Sequence, residues 1–162
     1  MRTLKPEPLT AEAFAPFGDV IEARGEPIPI NYGLTERFDD LAAIDCDEAG
    51  GRAIVSLFRG RPLDPMVLKI FERHPLGSQA FVPLGDVPYL VAVAPAGELD
   101  SAAIRLFRAG PRQGVNYRGG VWHHFLLPLD HGAEFLVIDR AGPGDNCDEV
   151  ELPEANQIRV LL

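Results

Sequence analysis

From residue 53 to residue 95, no stretch runs longer than nine residues without meeting a glycine or a proline. Inside a helix a glycine costs about 1 kcal/mol and a proline about 3 kcal/mol relative to alanine, so this spacing leaves little room for helices. The runs 53-AIVSLFR-59, 66-MVLKIFERH-74, 79-QAFVPL-84 and 89-YLVAVAP-95 are rich in β-branched and aromatic residues and have strand length. Further runs of the same kind follow at 105–109, 114–118, 123–129 and 134–140, with a short one at 157–162 and an earlier one at 19–22. Helical signals are few: Thr10 caps a short helix over 11–14, and residues 100–104 suit a single turn. The tail from Ala141 is Gly-, Pro- and acid-rich and reads as loop up to residue 157. The expectation is an all-β fold, an antiparallel barrel or sandwich with a few short helices. A chain of 162 residues suits one domain over 1–162, and no repeat or low-complexity linker divides it.

The formal charge of −9 argues against a nucleic-acid partner, which needs a basic face. It leaves open whether a small substrate is anionic, because a pocket can be locally positive. No window is long and apolar enough for a membrane span or a secretory signal, so the expected location is cytoplasmic. The two cysteines, Cys46 and Cys147, fit a reducing compartment, with a single disulfide as the alternative. Neither has a basic partner nearby in sequence, which disfavours thiol catalysis.

Polar residues of one chemical type gather in two places. In the expected strand 66–74, Leu68, Ile70, Glu72 and His74 alternate onto one face, and Lys69, Phe71 and Arg73 onto the other. The first face begins apolar and ends polar, as expected for a strand whose last residues reach a cavity. Gln79 opens the next strand and can rejoin Glu72 and His74 across the Pro75–Gly77 turn. Carboxylate, imidazole and amide all offer lone pairs that a divalent cation accepts. The alternative is an exposed hairpin end with solvated side chains. The second place is 110-GPRQGVNYRGGVWHHFLLPL-129, with four glycines and two adjacent histidines. In a strand here His123 and His124 face opposite sides, so one can enter the barrel while the other is a surface or interface residue. Trp122 is read as core or interface packing, and Lys69 and Arg73 as solvent or subunit contacts. Asp139 and Arg140 are expected to pair and to fix the loop 141–147.

The segments Glu72-x-His74-x4-Gln79 and Gly120-x-x-His123 resemble the two half-motifs of the cupin superfamily. Cupins usually supply histidines and one acidic residue to a metal. Here Glu72 stands at the first histidine position and Gln79 at the acidic one. The resemblance becomes more specific when four segments are taken together: 31-NYGLTERFDDLA-42, 72-ERHPLGSQAFVP-83, 113-QGVNYRGGVWHH-124 and 135-FLVIDRAGPGDNC-147. In order and spacing they resemble the ureidoglycolate lyase family over nearly the whole chain. That resemblance implies a cupin-like β-barrel, a homodimer, and cleavage of (S)-ureidoglycolate to glyoxylate and urea in allantoin degradation. It also implies a divalent metal, nickel being the usual one. Two departures stand out: Arg118 where many members have His, and Phe125 where many have Pro. The first is expected near a pocket mouth, the second only where the strand begins.

Ureidoglycolate carries a hydroxyl, a carboxylate and a urea nitrogen on one carbon, and its breakdown needs no water. A base takes the hydroxyl proton, the C–N bond breaks, and an acid protonates the departing nitrogen. A metal chelating the carboxylate and hydroxyl would make that hydroxyl more acidic. The catalytic candidates are Glu72, His74, His123 and Tyr117; the metal candidates are Glu72, His74, Gln79 and His123. Arg37, helped by Asn31, is the candidate for the substrate carboxylate because the resemblance places its segment among the family's signature stretches, and Gln79 suits the urea group. The competing readings are another cupin-type metal enzyme (an isomerase or dioxygenase), a non-catalytic cupin binding a small acid, and a purely structural dimerisation domain. An amidohydrolase releasing ammonia and carbon dioxide is not separable from a lyase by these residues alone.

Overall fold

The computed structural model describes residues 1–162 and is built of short strands with few, short helices, in keeping with the all-β, cupin-like expectation. Two large sheets carry the architecture. One runs, in spatial order, Asp148–Glu151, Ile70–Arg73, Trp122–His123, Tyr89–Ala94, Arg105–Ala109 and Glu7–Pro8, with Leu127–Pro128 also paired to Tyr89–Ala94. The other runs Gly18–Ile21, Gly114–Tyr117, Gln79–Pro83, Ala133–Ala141 and Arg52–Gly60. A small sheet of Arg2–Leu4, Ile158–Val160 and Val67–Leu68 joins the chain termini to the body, and Ile28–Ile30 pairs with Thr35–Arg37 as a separate hairpin.

The run 89-YLVAVA-94 is buried at every position because both faces of its sheet are covered. Tyr89, Val91 and Val93 enter a core shared with Phe14, Phe107, Tyr117, Phe135 and Val137 of both large sheets. Leu90, Ala92 and Ala94 enter a second core with Leu68, Phe71, Leu106, Trp122 and Ile158. Each aromatic side chain buried this way contributes roughly 2–3 kcal/mol. The helix Ala11–Phe14 starts at Thr10, whose hydroxyl accepts from Ala13 N at 3.1 Å, and it delivers Phe14 to the first core.

The structure corrects several expectations. The run 66–74 is two strands, Val67–Leu68 and Ile70–Arg73, which pair in different sheets on either side of Lys69. The two-residue alternation fails where the chain changes sheets, so Leu68 shares a core with Phe71 and not a face with Ile70 and Glu72. The run 123–129 is likewise split into Trp122–His123 and Leu127–Pro128. Residues 148–151, expected as loop, form an edge strand against Ile70–Arg73. Two pairings are parallel instead of antiparallel, Arg2–Leu4 with Ile158–Val160 and Glu7–Pro8 with Arg105–Ala109. Both cysteines are free, Cys46 buried and Cys147 exposed. No helix is long and apolar enough to cross a membrane.

Candidate active site

The strand Ile70–Arg73 lies between Trp122–His123 and Asp148–Glu151, and its Glu72 sits directly opposite His123. Phe71 points into the second core, so Glu72 points the other way. The chain then turns, and His74 joins Glu72 and His123. Glu72 Oε1 is 3.8 Å from His123 Nδ1 and 4.0 Å from His74 Nε2, and the two imidazole centroids are 5.1 Å apart. Gly120 holds this corner together: at φ +80° it adopts a left-handed turn, and its N–H donates to the carbonyl of His74 at 2.9 Å. Gln79 and Tyr117 are cross-strand partners, and the Tyr117 ring stacks on His123 at 4.2 Å with an interplanar angle of 2°. The structure therefore gathers Glu72, His74, Gln79, Tyr117 and His123 as the sequence suggested.

Residues of the segment 135–147, which the sequence reading gave no role in the site, orient them. Asp139 accepts from Gln79 Nε2 at 3.0 Å, which turns the Gln79 carbonyl oxygen toward His74 Nε2 at 3.1 Å. The carbonyl of Asn146 accepts from His74 Nδ1 at 2.7 Å, and Asn146 is itself held by Leu76 N donating to its Oδ1 at 2.7 Å. Asp139 and Arg140 do not pair, because neighbours on a strand face opposite ways. Arg140 instead fixes the loop 141–147 through carbonyls, donating to Pro143 O at 2.8 Å and to Glu48 O at 2.9 and 3.0 Å. The alternation Ala133, Phe135, Val137, Asp139 was the available signal that Asp139 faces inward: the first three are buried in the core, and Asp139 follows them on the same parity.

Electrostatics follow from burial. Desolvation pushes the Glu72 carboxyl above its ordinary range, nearby His74 pulls it back in part, and Glu149 adds to the rise. Burial first, and then the neighbouring His74, lowers His123 to about 3, so its imidazole is neutral near pH 7. The Tyr117 phenol is pushed up by burial and by Glu72, which keeps it a hydrogen-bond donor. His124 is not a surface residue: it is 3% exposed and its ring packs edge-on against Phe71 at 5.6 Å. Trp122 packs in the second core, donates to Gly97 O at 2.9 Å, and carries the Arg73 guanidinium on its ring at 4.6 Å.

Glu72 also lines a cavity of about 470 Å³ whose walls include Phe58, Phe81, Phe125, Arg59 and Arg61. Phe125 thus borders the cavity, whereas Arg118 reaches away to the carbonyls of Ala15 and Pro16 at 3.3 and 3.4 Å, the reverse of what the sequence suggested for these two. Neither Arg37 nor Asn31 lines this cavity. Both are exposed on the separate hairpin segment, where Arg37 pairs with Asp39 at 2.7 Å and Asn31 Nδ2 donates to Thr35 Oγ1 at 3.2 Å.

The chain matches the ureidoglycolate lyase family over residues 1–159. It belongs to that family. Two relatives named ureidoglycolate lyase, from Burkholderia mallei and Pseudomonas entomophila, are 58% and 52% identical. Those matches cover 96% and 98% of this chain and 92% and 96% of the relatives. A solved dTDP sugar isomerase from Desulfovibrio desulfuricans covers 86% of this chain and 87% of its own at 15% identity and a TM-score of 0.45, a likeness too loose to bear on the fold.

The donor set suits the divalent cation that the family resemblance implies. Ligand atoms of Glu72, His74 and His123 lie within 4.8 Å of one another. His123 Nε2 is buried without a hydrogen-bond partner. His74 donates through Nδ1 to a carbonyl, the orientation usual in metal-bound histidines, and its Nε2 then faces another acceptor, Gln79 Oε1. Two acceptors 3.1 Å apart need a proton or a cation between them.

Proposed function

We propose that this chain is a single-domain lyase that cleaves (S)-ureidoglycolate to glyoxylate and urea. The family match over residues 1–159 supports the whole chain acting as one unit. The observation that carries the chemistry is Glu72, which borders a cavity of about 470 Å³ while two imidazoles approach its carboxylate within 4.0 Å.

In this reading the substrate lies in the cavity with its hydroxyl toward Glu72. A carboxyl raised by burial holds a proton well, so Glu72 Oε1 takes the hydroxyl proton as the aldehyde forms. The C–N bond breaks with its electrons going to urea, and His74, doubly protonated with the second proton held between its Nε2 and Gln79 Oε1, passes that proton to the departing nitrogen. Tyr117, kept protonated, donates a hydrogen bond to the developing charge, and Gln79 holds His74 in line. Neutral, buried His123 lies beside Glu72 and brings no competing charge to the corner.

Glu72, His74 and His123, with Gln79 Oε1 beside them, would hold a divalent cation, nickel being the ion that the family resemblance suggests. Such an ion, bound, supplies a Lewis acid that makes the substrate hydroxyl more acidic. The orphaned His123 Nε2 favours this second reading of the same corner. We further propose a cytoplasmic homodimer. The unpaired edge strand Arg52–Gly60, with Val55 66% and Leu57 56% exposed, supports the dimer.

The test is product analysis with purified protein and racemic ureidoglycolate, untreated, chelated, and re-supplied with nickel. Equal urea and glyoxylate, lost on chelation and restored by nickel, is the expected result for the metal-holding corner. Activity indifferent to chelation keeps the lyase and leaves the acid–base reading alone. Urea no faster than the spontaneous rate overturns the lyase, and tightly bound iron with oxygen dependence would favour another cupin-type enzyme.

A further inference from the structure

The cavity beside Glu72 contains two cations and one anion. Glu72 is the anion, and it lies where the proton chemistry is proposed. A substrate carboxylate placed against it would be repelled, and carboxylate recognition calls for a guanidinium or an amide. Of the two arginines in the wall, Arg59 is already engaged: its Nε donates to Glu134 Oε2 at 2.7 Å, and it opposes Glu134 directly across the strand pair. Arg61, two residues on and past the end of the strand Arg52–Gly60, makes no hydrogen bond and no ion pair. It is exposed, next to Pro62, on the wall of the cavity that Glu72 shares. The rest of that wall is largely apolar, with Phe58, Phe81, Phe125 and Leu126 leaving few other partners for a charge.

We propose that Arg61 receives the carboxylate of the substrate, opposite the Glu72 that faces its hydroxyl, so that these two of the cavity's three charged residues fix which way the substrate lies. This inference rests on the lyase reading and replaces Arg37 in the role that the sequence assigned to it.

The experiment compares the wild-type enzyme with Arg61→Ala and Arg61→Lys, as prepared with metal. It reads KM and kcat for ureidoglycolate, inhibition by glyoxylate, inhibition by urea, and thermal melting. Loss of a charge-assisted contact predicts a roughly ten- to hundred-fold rise in KM and in the glyoxylate inhibition constant for Arg61→Ala. Urea, which has no carboxylate, should inhibit both proteins equally, and Arg61→Lys should fall between them with an unchanged melting curve. KM and glyoxylate inhibition within about two-fold of wild type would overturn the assignment, as would an equal weakening of urea. Wild-type protein that releases no urea sinks the lyase reading itself, a result seen before any variant is compared.

Discussion

Asp139 reaches the site through one intermediary: its carboxylate accepts from Gln79 Nε2 at 3.0 Å, and the Gln79 carbonyl oxygen then lies 3.1 Å from His74 Nε2. Without Asp139 the Gln79 amide has no reason to keep its oxygen toward His74, and the imidazole loses one of its two restraints. Supporting contacts of this kind are worth about 10- to 100-fold in activity when removed. Asp139→Ala is therefore expected to lower kcat in that range while leaving KM nearly unchanged, with Asp139→Asn in between because an amide oxygen still accepts. A variant that shifts KM and melting but spares kcat would show Asp139 to be merely structural. The pair Asp139–Arg140 also shows how single residues mislead. Opposite charges side by side suggest an ion pair, yet strand geometry sends one inward to Gln79 and the other to the carbonyls of Glu48 and Pro143.

Among the elements, the strand Arg52–Gly60 is the one the single chain leaves incomplete. It pairs along its whole length with Ala133–Ala141 on one side and with nothing on the other. A nine-residue edge with exposed Val55 and Leu57 is a template for association, and natural sheets normally protect such edges with charge or proline. In the proposed homodimer this edge is where a second copy docks. Val55→Lys combined with Leu57→Lys should then move the protein from dimer to monomer in sedimentation. A variant that stays dimeric would place the interface elsewhere. The strand Ile70–Arg73 teaches a different lesson. Its neighbour Val67–Leu68 looks continuous with it in sequence, but Lys69 marks a change of sheet, and that break is why Leu68 and Phe71 share a core while Glu72 faces the site.

Over the whole molecule, two adjacent histidines are buried in the neutral state on opposite faces of one sheet. Burial lowers His123 to about 3 and His124 to about 4, against an ordinary value of 6.5. An unfolded chain therefore binds up to two more protons than the folded one as pH falls from 6.5 toward 4. Stability is full above 6.5 and declines below it, by about 1.4 kcal/mol per pH unit for each histidine fully titrating in the unfolded state. Glu72, raised by burial, works in the opposite sense over the carboxylate range. Urea unfolding of chelated protein between pH 7 and 5 should show this decline, and His124→Gln should remove one histidine's share of the slope. A pH-independent midpoint in the wild type would refute it.

The sequence by itself determined the all-β class, most strand positions, the helix after Thr10, and the meeting of Glu72, His74 and Gln79 across one turn. These follow from local rules, because breaker spacing sets strand length and two-residue alternation sets facing. Four segments read in order carried the resemblance to the family, and with it the placing of Tyr117 and His123 in the same site. Tertiary structure decided what depends on partners distant in the chain. An acidic tail segment became an edge strand only because Ile70–Arg73 was there to pair with it. His124 was buried because Phe71 and the second core cover its face, and no local pattern records what covers a sheet. Asn146 met His74 in a loop that Arg140 ties to the carbonyl of Glu48, 92 positions earlier in the chain. Arg61 came to border the cavity, and Arg37 did not, because a cavity wall is assembled from segments whose neighbourhood exists only after the sheets have closed.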